Sequence, residues 1–307
     1  MNISSPWLRS YLSGQINEPL VISTTGSSGV VKAVEISPAA LIASAKAAHK
    51  FLGAKEGDTW SLLLPTNHIA GINVLARSII LNSELKNQDE VADYTSIVPT
   101  QLHKALREDS KLLSHLKNCK AVLVGGARLP ESLQNEAKSA GINIVTTYGA
   151  TETCGGCVYN GTSLDGVQIQ IVSGLIEIKI AEMNSGQWIK TNDLGEIKDG
   201  KLKVLGRADD VIISGGENIS LQKLESFLET TYPGQNFLAL AIPDDKWGQA
   251  LALMSDQEFP ENIADSILSA LGKLYIPKSL KTVKEIPTIG IGKFDRNGAS
   301  KLFLNNE

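Results

Sequence analysis

Cysteine and histidine are both scarce, at 3 and 4 of 307 residues. Three cysteines are odd in number and too few for a disulfide framework, which points to a reducing, cytoplasmic compartment. Cys154 and Cys157 make a single C-x-x-C with no second pair, so zinc is not indicated; a redox pair or two plain loop cysteines remain open. No apolar run approaches the roughly 18 residues a membrane-spanning helix needs. The opening stretch MNISSPWLRSYLSGQ lacks a continuous apolar segment, so no signal peptide is read. Charge of one sign is also missing: 29 Lys and Arg stand against 33 Asp and Glu, a net of −4. The basic residues are scattered and never interleave with aromatics, so no nucleic-acid partner is expected.

What is present is an ordinary core-forming composition, 42% hydrophobic, with room for one large and one small domain. The runs PLVIST, TWSLLLP, YTSIVPT, KAVLVGGA and INIVTTYG read as short buried strands. Between them, SPAALIASAKAAHKFLG predicts a helix capped by Ser37 and stopped at Gly53. PTQLHKALREDSKLLSHL and PESLQNEAKSAG predict further helices, the latter closed by Gly141. His49, His103 and His115 fall in helical patterns with many polar neighbours and are read as solvated. Strand–helix alternation argues for a mostly parallel sheet with helices on its faces.

Beyond about residue 160 the texture becomes strand-rich with Asp-Gly and Ser-Gly turns, as in a small antiparallel barrel or meander. A helix capped by Ser220, two apolar strands, a helix over 262–272 and a last loop and helix then form a small α+β unit. The fold class is therefore α/β: a large N-terminal domain with a mostly parallel sheet, helices and a small β-barrel-like part, then a small mobile α+β C-terminal domain. The expected boundaries are 1–206 and 207–307, with a hinge near 207–210 in GRADD.

The chemistry gathers in loops. VISTTGSSGVVKAVEIS places hydroxyls, glycines and Lys32 between two strands. A Walker loop needs a longer gap between its glycines than Gly26 and Gly29 leave, and a Lys-Ser or Lys-Thr pair where Lys32 is followed by Ala33. What remains is a turn whose N–H groups and hydroxyls can wrap an anion. TTYGATETCGG follows a buried strand, at the end where open α/β sheets bind ligands. KTNDLGEI sets Asp193 at a turn suited to vicinal hydroxyls, GRADDVIISGGENIS joins Arg207 to a Gly-Gly turn, and PTIGIGKFDRNGASKLF presents Lys293 between glycines and charges.

These segments, in this order, resemble the adenylate-forming superfamily of acyl-CoA synthetases, luciferases and peptide-synthetase adenylation domains, from about residue 20 to the end. The resemblance implies that ATP is cleaved between its α- and β-phosphates. It implies that Thr24, Thr25, Ser27, Ser28 and Lys32 handle the β- and γ-phosphates, Tyr148 stacks near adenine and Thr151 meets the α-phosphate. Glu152 would hold Mg2+, Asp193 and Arg207 the ribose, and Asp209 the hinge. Lys293 would bridge the acyl carboxylate and α-phosphate, and Gly215 and Gly216 would let the pantetheine arm of CoA pass. The loop departs from the pattern at Val31, usually Pro, and Ala33, usually Gly.

LLLPTNHIAGINVLARS, SGGENI and DDKWGQ further resemble the branch acting on o-succinylbenzoate in menaquinone synthesis. There His68 and Arg77 are the acid-binding candidates, Arg77 for the unreacted carboxylate. Taken alone, Arg77 fits a buried structural ion pair equally well. The expected partners are a small-molecule acid, ATP and CoA, with no membrane insertion. A homo-oligomer is compatible with the family but written in no residue. The phosphate loop lies near the start of the chain, which suggests a compact form of the family. Two alternatives remain: a CoA ligase for another aryl or dicarboxylic acid, and a nucleotide-binding relative without turnover.

Overall fold

The computed structural model describes residues 2–25, 31–214, 216–289 and 293–304. Helix α1 (Ser5–Leu12) begins at a Ser4 cap with Pro6 in its first turn. Its Tyr11 hydroxyl donates to the Ile36 carbonyl at 2.5 Å and accepts from the Leu20 N–H at 3.2 Å. One side chain thus ties the helix to the hairpin of β1 (Leu20–Thr25) and β2 (Val31–Ile36). Helix α2 (Pro38–Leu52) starts where Ser37 Oγ accepts the Ala40 N–H at 3.1 Å, a cap worth about 1 kcal/mol. It ends at Gly53, whose φ of 66° is left-handed.

A seven-stranded sheet organises residues 60–163. Its strands are β3 (Trp60–Ser61), β4 (Leu85–Lys86), β5 (Tyr94–Ile97), β6 (Ala121–Val124), β7 (Ile144–Ala150), β8 (Gly155–Tyr159) and β9 (Thr162–Ser163), in the order β4-β3-β5-β6-β7-β8-β9. From β4 to β7 the pairing is parallel; β8 and β9 are antiparallel additions. The crossovers are α3 (Ile69–Ile80), α4 (Pro99–Arg107) with α5 (Ser110–Asn118), and α6 (Glu131–Ser139). The single helix suggested by PTQLHKALREDSKLLSHL breaks at Glu108, and Asp109 recaps it by accepting the Leu112 N–H at 2.9 Å. Strands β5 and β6 are buried at every residue, as a parallel sheet covered on both faces requires.

Strands β10 (Val167–Val172), β11 (Leu175–Ile180), β12 (Ile189–Lys198) and β13 (Lys201–Arg207) form a sheet in sequential order. Of the two forms expected it is the open meander, not the barrel. Next come the hairpin β14 (Val211–Ser214) and β15 (Glu217–Ser220), α7 (Leu221–Thr231), β16 (Phe237–Asp244), β17 (Gly248–Ser255), α8 (Ile263–Leu271), β18 (Ser279–Thr282), β19 (Thr288–Ile289), β20 (Lys293–Phe294) and α9 (Arg296–Leu304). Ser220 Oγ caps α7 by accepting the Lys223 N–H at 3.2 Å.

Contacts divide the chain into two compact units. Met1–Leu129, Leu133–Thr191 and Gly195–Val204 form the first; Pro130–Ser132, Asn192–Leu194 and Leu205–Glu307 form the second. The first packs around Trp60, Leu41, Ile72, Ile97, Leu102 and Ile176, the second around Leu224, Leu228, Phe237 and Leu253.

Two histidines correct the sequence reading. His49 and His115 are 7% and 5% exposed, not solvated, because each lies on the inner face of its helix. His115 lies 2.7 Å from Ser61 Oγ, and His49 packs 6.1 Å from the Trp60 ring. Cys157 stands in strand β8 rather than a loop, and it and Cys154 are buried free thiols. Among the described residues no group of three or more His, Cys, Asp or Glu could hold a metal.

Candidate active site

The segment expected to handle phosphate is flanked by β1 and β2, which pair in register Thr24↔Lys32 and Thr25↔Val31; residues 26–30 lie outside the described residues. Ser27 and Ser28 lie outside the described residues, as do the side chains of Thr24, Thr25 and Lys293. Lys32 is exposed on β2.

The second element is the turn after β7, at the carboxyl end of the parallel strands. Tyr148 is half-buried on β7, and Thr151 and Glu152 occupy a 3-10 turn over Thr151–Thr153. Thr153 holds this turn: its Oγ1 accepts the Ala150 N–H at 2.8 Å and stands 2.8 Å from the Gly155 carbonyl. Glycine is obligatory beside it. A Cβ on Gly149 would sit 2.1 Å from the Gly155 oxygen, and one on Gly155, at φ +89°, would sit 2.4 Å from Asn73 Nδ2. Asn73 in turn donates to the Cys154 carbonyl at 2.7 Å, fixing the far side of the turn to α3.

Asp193, Arg207 and Asp209 are brought together in the second unit. Arg207 grips Asp209 with Nε and one terminal nitrogen, both at 2.8 Å, and reaches Asp193 with the other at 3.1 Å. The Asp209 hydrogen bond holds the Arg207 guanidinium above its usual range against the effect of burial. Asp209 lies in the 3-10 turn Ala208–Asp210 that joins β13 to β14. In the β14–β15 hairpin Gly216, at φ +86°, takes a conformation that favours glycine, while Gly215 lies outside the described residues. Lys293 opens β20, which pairs with β19 in register Ile289↔Lys293.

The acid-binding candidates both belong to α3. His68 is the N-cap residue without capping through its side chain, and is half-buried. It lines a cavity of about 440 Å3 together with Ile3, Trp7, Leu20, Thr66 and Ile72. Arg77 lies deeper, 4% exposed. Its terminal nitrogens donate to Tyr159 Oη at 2.9 Å and Ser96 Oγ at 3.3 Å, and its Cζ lies 5.1 Å from the Trp60 ring centre. Its Nε is buried without a partner, and no carboxylate of the described residues pairs with it. The structural ion-pair reading of Arg77 therefore lacks its anion. A second cavity, about 390 Å3, opens at the amino ends of the parallel strands beside Asp58, Tyr94, Lys120 and Asn143. Phe51 and Tyr94 of its lining pack on Tyr159 and Trp60, the ring neighbours of Arg77.

The sequence reading missed Tyr159, Trp60, Ser96, Asn73 and Thr153. Asn73 was findable, since it stands one turn before Arg77 on an otherwise apolar helix. Tyr159 carried no local signal, because its partner is 82 residues away in the chain.

Known proteins extend this picture. The chain is 35% identical to a probable 2-succinylbenzoate–CoA ligase of Mycobacterium tuberculosis, over 92% of this chain and 84% of that one. It is 30% identical to the 2-succinylbenzoate–CoA ligase of Bacillus pumilus, over 93% and 69%. Its fold superposes with a TM-score of 0.76 on Bacillus subtilis o-succinylbenzoate CoA synthetase (MenE) in complex with the acyl-adenylate intermediate OSB-AMP, at 26% identity over 90% and 68% of the two chains. Residues 17–198, which carry the β1–β2 hairpin, the β7 turn and the α3 candidates, match the AMP-binding enzyme family, and the chain belongs to that family.

Proposed function

We infer that the chain is an AMP-forming acid–CoA ligase that converts 2-succinylbenzoate to its CoA thioester through an acyl-adenylate. A carboxylate oxygen of the acid attacks the α-phosphorus of ATP and pyrophosphate leaves. The CoA thiol then attacks the acyl carbon, loses its proton, and expels AMP. The observation that carries the choice of a dicarboxylic acid is Arg77, a buried guanidinium with no carboxylate partner among the described residues. A buried cation without an anion is costly, so the site is completed by a ligand that brings one. The relatives support the same acid, since their names specify 2-succinylbenzoate.

The remaining roles follow the order of the segments. Thr24, Thr25, Ser27, Ser28 and Lys32 are assigned to the β- and γ-phosphates, Tyr148 to adenine, Thr151 to the α-phosphate, and Asp193 and Arg207 to the ribose. Lys293 is assigned to the meeting point of two anions, where a placed ammonium offsets charge as it builds. Asp209 is the hinge that would exchange the Lys293 segment for Gly215 and Gly216 between the half-reactions. His68 is assigned to the acid.

The turn at Thr151–Thr153 fits Mg2+ by the chemistry of its donors. Glu152 and the neighbouring hydroxyl offer hard oxygen, and one carboxylate with substrate phosphates is an ordinary Mg2+ set. The nearest soft ligand, Cys154, is disqualified because burial pushes its thiol up to about 12. Bound Mg2+ would neutralise phosphate charge there. No helix among the described residues is long and apolar enough to cross a membrane, and the reaction is assigned to the cytoplasm, where ATP and CoA are at hand.

The test is CoA-thioester formation from 2-succinylbenzoate, ATP, Mg2+ and CoA, with benzoate and an aliphatic acid as comparisons. A strong preference for 2-succinylbenzoate is expected. Thioester from benzoate at equal efficiency would discard the role of Arg77. Absence of pyrophosphate from every acid would discard the ligase.

A further inference from the structure

Among the described residues, the hydrogen-bond and ring partners of the Arg77 head are all neutral. Tyr159 is completely buried and its Oη accepts one terminal N–H at 2.9 Å. Ser96, 7% exposed, lies 3.3 Å from the other terminal nitrogen. The Trp60 ring lies beneath the guanidinium at 5.1 Å. These contacts hold both terminal nitrogens and set the head beside the Trp60 ring. They leave its positive charge unneutralised and its Nε–H without a partner. A guanidinium is a rigid fork that matches a carboxylate in two-point contact only if its plane is set beforehand. Neutral hydroxyls and an aromatic ring hold the head without supplying the anion.

We propose that Tyr159 and Ser96, with Trp60 beneath, are positioning residues that aim Arg77 at the carboxylate of the acid that is not activated, and so set the enzyme's preference for a second carboxylate. The inference rests on the assignment of Arg77 made above. None of these residues touches the reacting atoms. They act through the orientation of one side chain, and the energy they hold is that of not having to order the guanidinium when the acid arrives. Tyr159 is the strongest of them because its ring is itself fixed: the Phe51 ring packs against it edge-on at 5.3 Å.

The test is steady-state kinetics with Tyr159→Phe, Ser96→Ala, Arg77→Ala and the double variant Arg77→Ala/Tyr159→Phe, varying 2-succinylbenzoate and ATP separately. Tyr159→Phe keeps the ring and removes only the hydroxyl. It is expected to raise KM for 2-succinylbenzoate about tenfold, in line with one hydrogen bond to a charged group, while KM for ATP and kcat stay within about twofold. In the Arg77→Ala background the same change should have no further effect on the acid. Ser96→Ala should shift the acid KM in the same direction by less, and serves in place of Tyr159→Phe if that variant does not fold. A thermal midpoint near that of the parent excludes a general loss of structure. The proposal is overturned if Arg77→Ala raises the acid KM but both hydroxyl variants leave it unchanged. It is equally overturned if Tyr159→Phe acts undiminished without Arg77, or raises the ATP KM in parallel. An acid KM untouched by Arg77→Ala itself would instead remove the assignment of Arg77 on which the proposal rests.

Discussion

Two enclosed arginines in this chain are treated in opposite ways. Arg296, in the second unit, meets Glu225 in a two-point pair at 2.6 and 2.9 Å, Asp210 at 3.1 Å and the Ala239 carbonyl at 2.6 Å. Burial alone would lower its pKa, and the two carboxylates more than offset that, leaving it above its usual value. Arg77, in the first unit, is more deeply buried yet meets hydroxyls, an indole face and nothing anionic among the described residues. A cation that holds a fold together is neutralised within the chain. A cation kept for a ligand is oriented by groups that leave its charge available. On the assignment proposed for Arg77, the contrast is between a cation of the fold and a cation kept for the acid.

The largest expected effect breaks the paired arginine. Glu225→Gln leaves Arg296 with part of its charge unanswered and should destabilise the second unit by about 2–4 kcal/mol, because a broken enclosed pair costs more than the pair contributes. Amide hydrogen exchange in α7, which carries Glu225, reads this locally. Unchanged protection there would mean that Asp210 alone suffices, and the contrast with Arg77 would lose one side.

Much of this was legible in the sequence, for identifiable reasons. Strands β5, β6 and β7 and the caps at Ser37, Gly53 and Ser220 are written in contiguous residues, where period and capping chemistry act over a few positions. The β1 and β2 strands of the hairpin were legible for the same reason. The surroundings of Arg77 were not. They join residues 60, 77, 96 and 159 from three strands and a helix, and only the sheet order β3-β5 with β7-β8 brings them to one place. His49 and His115 were misread because polar neighbours along a helix say little about which face is turned inward. His49 stands next to Ala48 and one turn from Ala45, both fully buried, and that small-residue stripe was the signal available.

The next prediction sharpens the contrast from the other side. Arg77→Met replaces an unneutralised buried cation with an apolar side chain of similar length. Stability should stay within about 1 kcal/mol of the parent or rise, since an uncompensated charge is removed. Use of 2-succinylbenzoate, read as kcat/KM, should meanwhile fall by about 30-fold or more. Arg296→Met should do the reverse to stability. If Arg77→Met unfolds the protein as readily as Arg296→Met does, Arg77 is structural after all.

The smallest effect concerns His49, the titratable neighbour of this site. Burial lowers its pKa from 6.5 to about 4, with Arg77 adding to that and Asp58 opposing it. The folded state thus binds its proton less readily than the unfolded chain. The neutral imidazole contributes stability in full above pH 6.5, and the contribution is lost as pH falls towards 4. Urea unfolding of the first unit should lose on the order of 2 kcal/mol across that window, and His49→Leu should flatten the slope. Arg77→Met gives the discriminating arm. Without the guanidinium the folded pKa of His49 rises towards its ordinary value, so the acid loss should shrink although nothing at His49 has changed. A slope identical with and without Arg77 would mean that its charge is already neutralised where it stands, and that neutral partners are not what sets this arginine apart from Arg296.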